Sequence, residues 1–317
     1  MTGKPSLPRR RESIYSKVRG LWIPAFAGMT VLGCSSATIP PNSIISANPC
    51  IDAVLAEIAT PGQIAAVSAY SHDVASASAP LGWARALPAV GITAEEIIAA
   101  RPRLLLTGNY MSLSTRAAID RAGIKAVTMG VPATIAESTA QVIDIARAIG
   151  REAAGLSLVS KIEAAVDNKP LPLAGGVGVG TSLQPRDVRS LPTPNPSRKR
   201  EGDAPSAIIW QSNGFVAGKG TVQDELLTRA GFANASATYG LNQWGQLPLE
   251  TMIMRPPSVV FMPVSAEGDE ARLIDVRRRM LARLGGKTRV VAFPEKLLFC
   301  AGPSLIEAMR IMRGAKS

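Results

Sequence analysis

From residue 43 onward the apolar positions fall into short blocks that alternate between two periods. Residues 43–47 read as a strand, and residues 50–59 follow with helical spacing and Asp52 in the first turn. The alternation continues as a strand at 63–67, a long loop at 68–91 and a helix from Thr93 through residue 100. A strand at 103–106, a helix at 114–122 and a strand at 125–129 follow. Thr93 can cap its helix, and Glu95 and Glu96 suit the positive end. Strands alternating with helices predict a mostly parallel sheet covered on both faces. Two long helical stretches, 132–149 and 151–167, meet at Gly150, and no strand signal follows until Ala207.

The second half repeats the plan. Strands are expected at 207–211, 258–262 and 289–293, with helices at 221–230, 248–254 and 267–284 and a last one opened by Pro303. Between the halves, residues 170–205 are rich in proline and glycine and read as a linker or inserted loop. Residues 5–30 and 191–203 show neither period. Both look like translated dispersed genomic repeats, which a domain tolerates in solvated loops because loop closure cost grows slowly with length.

Composition narrows the classes. The 317 residues are 46% hydrophobic and 19% charged, enough apolar material for a core. No apolar run reaches the ~18–20 residues of a membrane span, which excludes a multi-span transporter. One histidine and three cysteines exclude cysteine-rich zinc modules and clustered-histidine sites. The net charge of +11 is uneven, because residues 1–33 hold six cations against Glu12 alone. Without a basic folded face or a recognisable module, no nucleic-acid partner is expected. The basic start, the apolar stretch 21–33 and the small residue before Cys34 read as an export signal, with Cys34 as a lipidation candidate.

One phrase occurs twice. Glu95 and Glu250 each stand at the start of a short helix, seven residues before a proline (Pro102, Pro257) that precedes a buried strand. Either glutamate alone is explained by helix-dipole complementation, but the pair is less easily explained that way.

Here the chain resembles the class III periplasmic solute-binding proteins of ABC importers, the family for vitamin B12, iron–siderophores and haem. The likeness to the vitamin B12 branch rests on residues 48–52 (NPCID), 67–73 (VSAYSHD) and 244–247 (WGQL). A glycine-rich stretch at 213–221 before the DELL helix adds to it. Arg103 departs from the family's usual Asp after the proline, and the leader and the insertion are unusual. The resemblance implies an α/β fold of two Rossmann-like lobes with parallel sheets joined by a long α-helix. The segments would be a leader 1–41, an N-terminal lobe 42–149, a connecting helix 150–169, an insertion 170–205 and a C-terminal lobe 206–317. It implies ligand between the lobes, Glu95 and Glu250 docking on a permease with its ATPase subunits, no resident cofactor and no catalysis. The cargo would be a cobalamin or other corrinoid, an iron–siderophore or haem. Membrane contact would come only through the permease or a lipid anchor.

Ligands of open α/β sheets bind beyond the carboxyl ends of strands, so loop aromatics there are candidates. These are Tyr70, Trp83, Tyr110, Phe215 and Trp244, with Tyr70 and Trp244 expected to face each other across the cleft. His72 enters as one possible axial ligand, although a polar loop role explains it as well. The enzyme alternative is a nitrogenase-like cofactor protein, which the shortage of cysteines disfavours. The glycines of 175–180 lack the Lys-Ser/Thr of a phosphate loop. Cys50 and Cys300, the two body cysteines of an exported chain, are expected to pair.

Overall fold

The computed structural model describes residues 43–168, 204–211, 213–263, 268–283 and 286–316. Cys34, the leader and nearly all of the 170–205 insertion lie outside the described residues.

The first lobe opens with β1 (Ile44–Ser46), α1 (Pro49–Ile58) and β2 (Ile64–Ser68). Asn48 caps α1 by accepting from the Cys50 amide at 2.8 Å, and Pro49 sits where a missing N–H costs nothing. The expected loop at 68–91 is more structured than its sequence suggests. It holds a 3-10 turn at Ala69–His72, α2 (Leu81–Arg85) and an edge strand β3 (Ala89–Val90). Then come α3 (Ala94–Ala100), β4 (Leu104–Gly108), α4 (Leu113–Arg121) and β5 (Ala126–Met129). All strand pairs are parallel, in the order β3-β2-β1-β4-β5.

Two helices follow, α5 (Ile135–Ala148) and α6 (Glu152–Asp167). Gly150 turns the chain at φ +69°. Gly155 allows the two helices to cross closely, since a Cβ there would lie 2.4 Å from that of Ala146.

The second lobe contains β6 (Ser206–Ile209), β7 (Phe215–Ala217), α7 (Val222–Arg229), β8 (Ala233–Asn234) and β9 (Trp244–Gln246). It continues with α8 (Leu249–Met254), β10 (Val259–Met262), α9 (Gly268–Ala282), β11 (Arg289–Ala292), α10 (Lys296–Phe299) and α11 (Ser304–Gly314). Its main sheet is also parallel, ordered β11-β10-β6-β8, while β7 and β9 form a separate antiparallel pair. The expected fold class, two parallel-sheet α/β lobes, is the one observed.

Strand alternation builds the core. Ile44, Leu104, Leu106, Ala207, Ile209, Val259 and Phe261 point into one apolar cluster shared by both lobes. Their neighbours Ile45 and Leu105 point into a private cluster of the first lobe. Ile208, Trp210, Val260 and Met262 point into one of the second. This is the period-two rule applied to strands buried on both faces. The shared cluster also takes side chains from α1, α5, α6, α7 and α11, so these helices form the layer between the sheets. The Arg313 guanidinium of α11 donates to the Ala165 and Val166 carbonyls, closing the C-terminal end of α6. Arg229 pairs with Asp167 and Glu225 beside it. The lobes are therefore joined by packed helices with a continuous core, which restrains large relative motion.

Candidate functional site

The carboxyl ends of the first lobe's strands converge on a cavity of about 460 Å³. Asn48 follows β1, Tyr70 follows β2, Asn109 and Tyr110 follow β4, and Val131 follows β5; all line it. The opposite wall is Phe299, Cys300, Ala301 and Gly302, the segment between α10 and α11. A second cavity of about 430 Å³ lies on the side of the second lobe, lined by Gln211, Thr221, Gln223, Gln243 and Trp244 among others. The two share Val131, Pro132, Phe299, Cys300 and Ala301, which form a ridge between them. No Lys, Arg, Asp, Glu or His is among the described residues lining either cavity.

Each site side chain has a local cause. Tyr110 donates its hydroxyl to the Ala47 carbonyl at 3.0 Å and lies over Gly108. A Cβ at Gly108 would be 2.2 Å from the Tyr110 ring and 2.7 Å from the Asn48 amide nitrogen, so glycine is needed for both to sit there. Burial raises the Tyr110 pKa, and Asp52 and then Tyr70 raise it further through charge. In the second lobe, the amide of Gly218 donates to the Gln243 carbonyl at 2.7 Å. A Cβ at Gly218 would collide with the Asn242 carbonyl, so this contact sets the position of Gln243 and Trp244. Tyr70, Tyr110, Trp244 and Phe299 are each about half exposed. Such part-exposed rings can bury area against a ligand.

Asp52 lies under the first cavity and is fully buried. Its Oδ2 accepts from the Ser68 amide at 2.9 Å and the Ser71 hydroxyl at 2.6 Å. Burial pushes the carboxyl up to about 7, against the opposing pull of Ser46, Ser71 and the Ser68 amide.

Of the sequence candidates, Tyr70 and Tyr110 reach the first cavity and Trp244 the second. Tyr70 and Trp244 do not share a chamber; the ridge stands between them. The other three lie elsewhere. His72 lines neither cavity, and its Nε2 lies 3.0 Å from the Ala84 carbonyl and 3.1 Å from the Leu87 carbonyl, which makes it a loop tie. Trp83 packs half-buried against the shared core, and Phe215 sits half-buried in β7; neither lines a cavity. Phe299, Val131 and the amides of Asn48, Asn109 and Gln141 were missed. The Asn and Val positions were findable, because each lies within two residues of a strand's end.

Glu95 and Glu250 are both exposed in the first turns of α3 and α8. These helices precede β4 and β10, and each of those strands pairs directly with the first strand of its lobe. Cys50 and Cys300 are joined by a disulfide with Cα atoms 5.0 Å apart, and both line the first cavity. No group of three or more His, Cys, Asp or Glu suited to a metal ion occurs among the described residues.

Comparison with known proteins agrees with this fold. Residues 44–168 match the family model described as periplasmic binding protein. No curated protein matches the sequence. A periplasmic haem-binding protein from Pseudomonas aeruginosa superposes with a TM-score of 0.59 at 19% identity, covering 87% of this chain and 92% of that one. The haem-binding protein of Vibrio cholerae gives 0.61 at 18% identity, covering 87% and 99%. An Fe3+-hydroxamate transport protein from Saccharomonospora viridis gives 0.56 at 16%, covering 88% and 94%. By the sequence of residues 44–168 and the fold of its described body, this chain carries the architecture of the class III periplasmic binding proteins that its sequence resembles.

Proposed function

We propose that the chain is the exported substrate-binding component of an ABC importer, and that it carries a bulky, largely uncharged metal chelate of the corrinoid class. The observation behind this is the lining of the two cavities. Among the described residues it offers rings (Tyr70, Tyr110, Trp244, Phe299) and amides (Asn48, Asn109, Gln141, Gln211, Gln243) but no formal charge. A macrocycle with amide arms is matched by stacking surfaces and amide partners. An anionic siderophore would leave its charge without a cationic partner, a costly arrangement in a part-buried site.

Haem is the second reading, favoured by two phenols, Tyr70 and Tyr110, at one cavity, either of which suits ferric iron. Its two propionates would have to project beyond the described lining. The neighbours that bind haem or iron chelates support the class of cargo but do not choose within it.

Glu95 and Glu250, one per lobe and exposed, are assigned to permease docking, with the ATPase subunits behind the permease. The role is that of a carrier, not an enzyme, with no resident cofactor. The test is titration of the purified chain with cyanocobalamin, haemin and ferrichrome by calorimetry. Tight binding of cyanocobalamin alone is expected. Tight binding of haemin with a tyrosinate-type absorbance would move the assignment to the second reading.

A further inference from the structure

Beneath the Tyr70 wall lies a cluster of buried polar side chains that packing alone does not require. Ser46, Asn48, Asp52, Ser68 and Ser71 are all buried, in a lobe whose core is mostly apolar. They come from the ends of β1 and β2, the start of α1 and the 3-10 turn, all at the carboxyl end of the sheet, where the cavity opens. A buried carboxyl is costly among Ile51, Val54 and Leu55, so an apolar residue would serve the core better. Among the described residues Asp52 Oδ1 has no hydrogen-bond partner, while Oδ2 accepts two hydrogen bonds, so the carboxyl acts on the turn through one oxygen.

Asp52 is the hub of that network. One oxygen, Oδ2, holds both the Ser68 amide and the Ser71 hydroxyl, the residues two before and one after Tyr70. The Ser68 hydroxyl in turn accepts from the Tyr70 amide at 3.3 Å. Tyr70 is thus held on both flanks, by the Ser68 amide and the Ser71 hydroxyl, while its ring stays half exposed at the cavity. We propose that Asp52 is a positioning residue for the ligand site: it ties the turn that carries Tyr70 to the helix that carries Asn48 and Cys50, and so sets the aromatic wall of the first cavity. This rests on that cavity being the cargo site, but the clamp itself can be read without cargo.

The test uses the full chain labelled with 3-fluorotyrosine. It has four tyrosines, so Tyr70→Phe assigns its resonance. Without ligand, Asp52→Ala is expected to shift and broaden the Tyr70 fluorine line. Asp52→Asn is expected to restore it, because the amide oxygen can still accept from Ser68 and Ser71. Ser71→Ala is expected to give a smaller shift, and it carries the test should Asp52→Ala not fold. With cyanocobalamin as the probe, Asp52→Ala should raise the dissociation constant at least tenfold and Asp52→Asn less than threefold. A Tyr70 line unchanged in folded Asp52→Ala, or in Ser71→Ala where that variant stands in, overturns the clamp. So does failure of Asp52→Asn to restore it. If the wild type binds no cyanocobalamin, the corrinoid reading falls, while the fluorine spectra still decide the clamp.

Discussion

In the first lobe β2-β1-β4-β5 lie side by side, and in the second β8-β6-β10-β11 do, each element of one order matching its counterpart in the other. The second lobe lacks a counterpart to the edge strand β3 and adds the antiparallel β7–β9 pair. Their chemistry differs more than their topology. From the second lobe Phe261, edge-on to Phe232 and Phe293 with ring centroids 5.6 and 5.8 Å away, brings rings into the shared cluster, while the buried residues of the first lobe's private cluster include no aromatic ring. The first lobe presents phenols over a buried carboxyl network, and the second presents an indole and glutamine amides. Topology depends on burying both faces of short parallel strands, which many apolar residues satisfy. Site chemistry depends on single residues just beyond those strands and is free to diverge.

Breaking the joint between the lobes should have the largest effect. The Cys50–Cys300 bridge closes a loop of 250 residues and ties α1 to the segment before α11. Replacing both cysteines with serine is expected to lower unfolding free energy by up to about 5 kcal/mol on the loop-entropy account, measured by denaturant titration. A loss below about 1 kcal/mol would mean that the shared core alone sets the joint.

The second experiment separates the lobes by pH. Burial raises the Asp52 pKa from 3.8 to about 7, so the folded state holds this proton more tightly than the unfolded chain does. The stability it contributes is fully present below about pH 4 and is lost as pH rises through about 7. The loss is at most about 4 kcal/mol for a shift of roughly three pH units. Wild type minus Asp52→Asn melting should show this slope between pH 4 and 7. A flat difference would mean that the carboxyl stays ionised in the fold.

A smaller effect tests whether both chambers hold cargo. Trp244→Ala and Tyr70→Ala should each weaken cyanocobalamin binding by about 1–3 kcal/mol, the range of a buried aromatic contact. If only Tyr70→Ala does so, the ligand occupies the first chamber alone.

The smallest effect on stability probes the matched glutamates. Glu95→Ala with Glu250→Ala should change stability by less than about 0.5 kcal/mol, as exposed substitutions do, and leave affinity within a few fold. Uptake by cells carrying the cognate permease should nevertheless be abolished. Normal uptake would reduce both glutamates to helix-dipole partners.

The legible part of the sequence was local. Runs such as residues 104–106 and 259–262 announce strands because a parallel strand buried on both faces must be apolar throughout. The spacing of Glu95 and Glu250 from their prolines placed each at the start of a short helix, where both are found. The antiparallel β7–β9 pair was illegible, because its glycine-rich strand carries little period and forms only against residues some thirty positions later. Likewise His72, Trp83 and Phe215 share with Tyr70 the look of loop residues, and nothing local says which of them turns inward.

The sequence by itself thus determined the alternation of elements, the doubled lobe and the two short helices that carry the glutamates, since each follows from period, caps and breakers over ten residues or fewer. Only the tertiary structure decided that Phe299 and Val131 face the same space as Tyr70, that the described lining of both cavities is uncharged, and that Asp52 is buried beside it. Those depend on contacts between residues far apart in the chain, such as Ser78 with Cys300 and Gly302 with Ser138. Their geometry is set by how the helices stack between two sheets, and no local pattern encodes it.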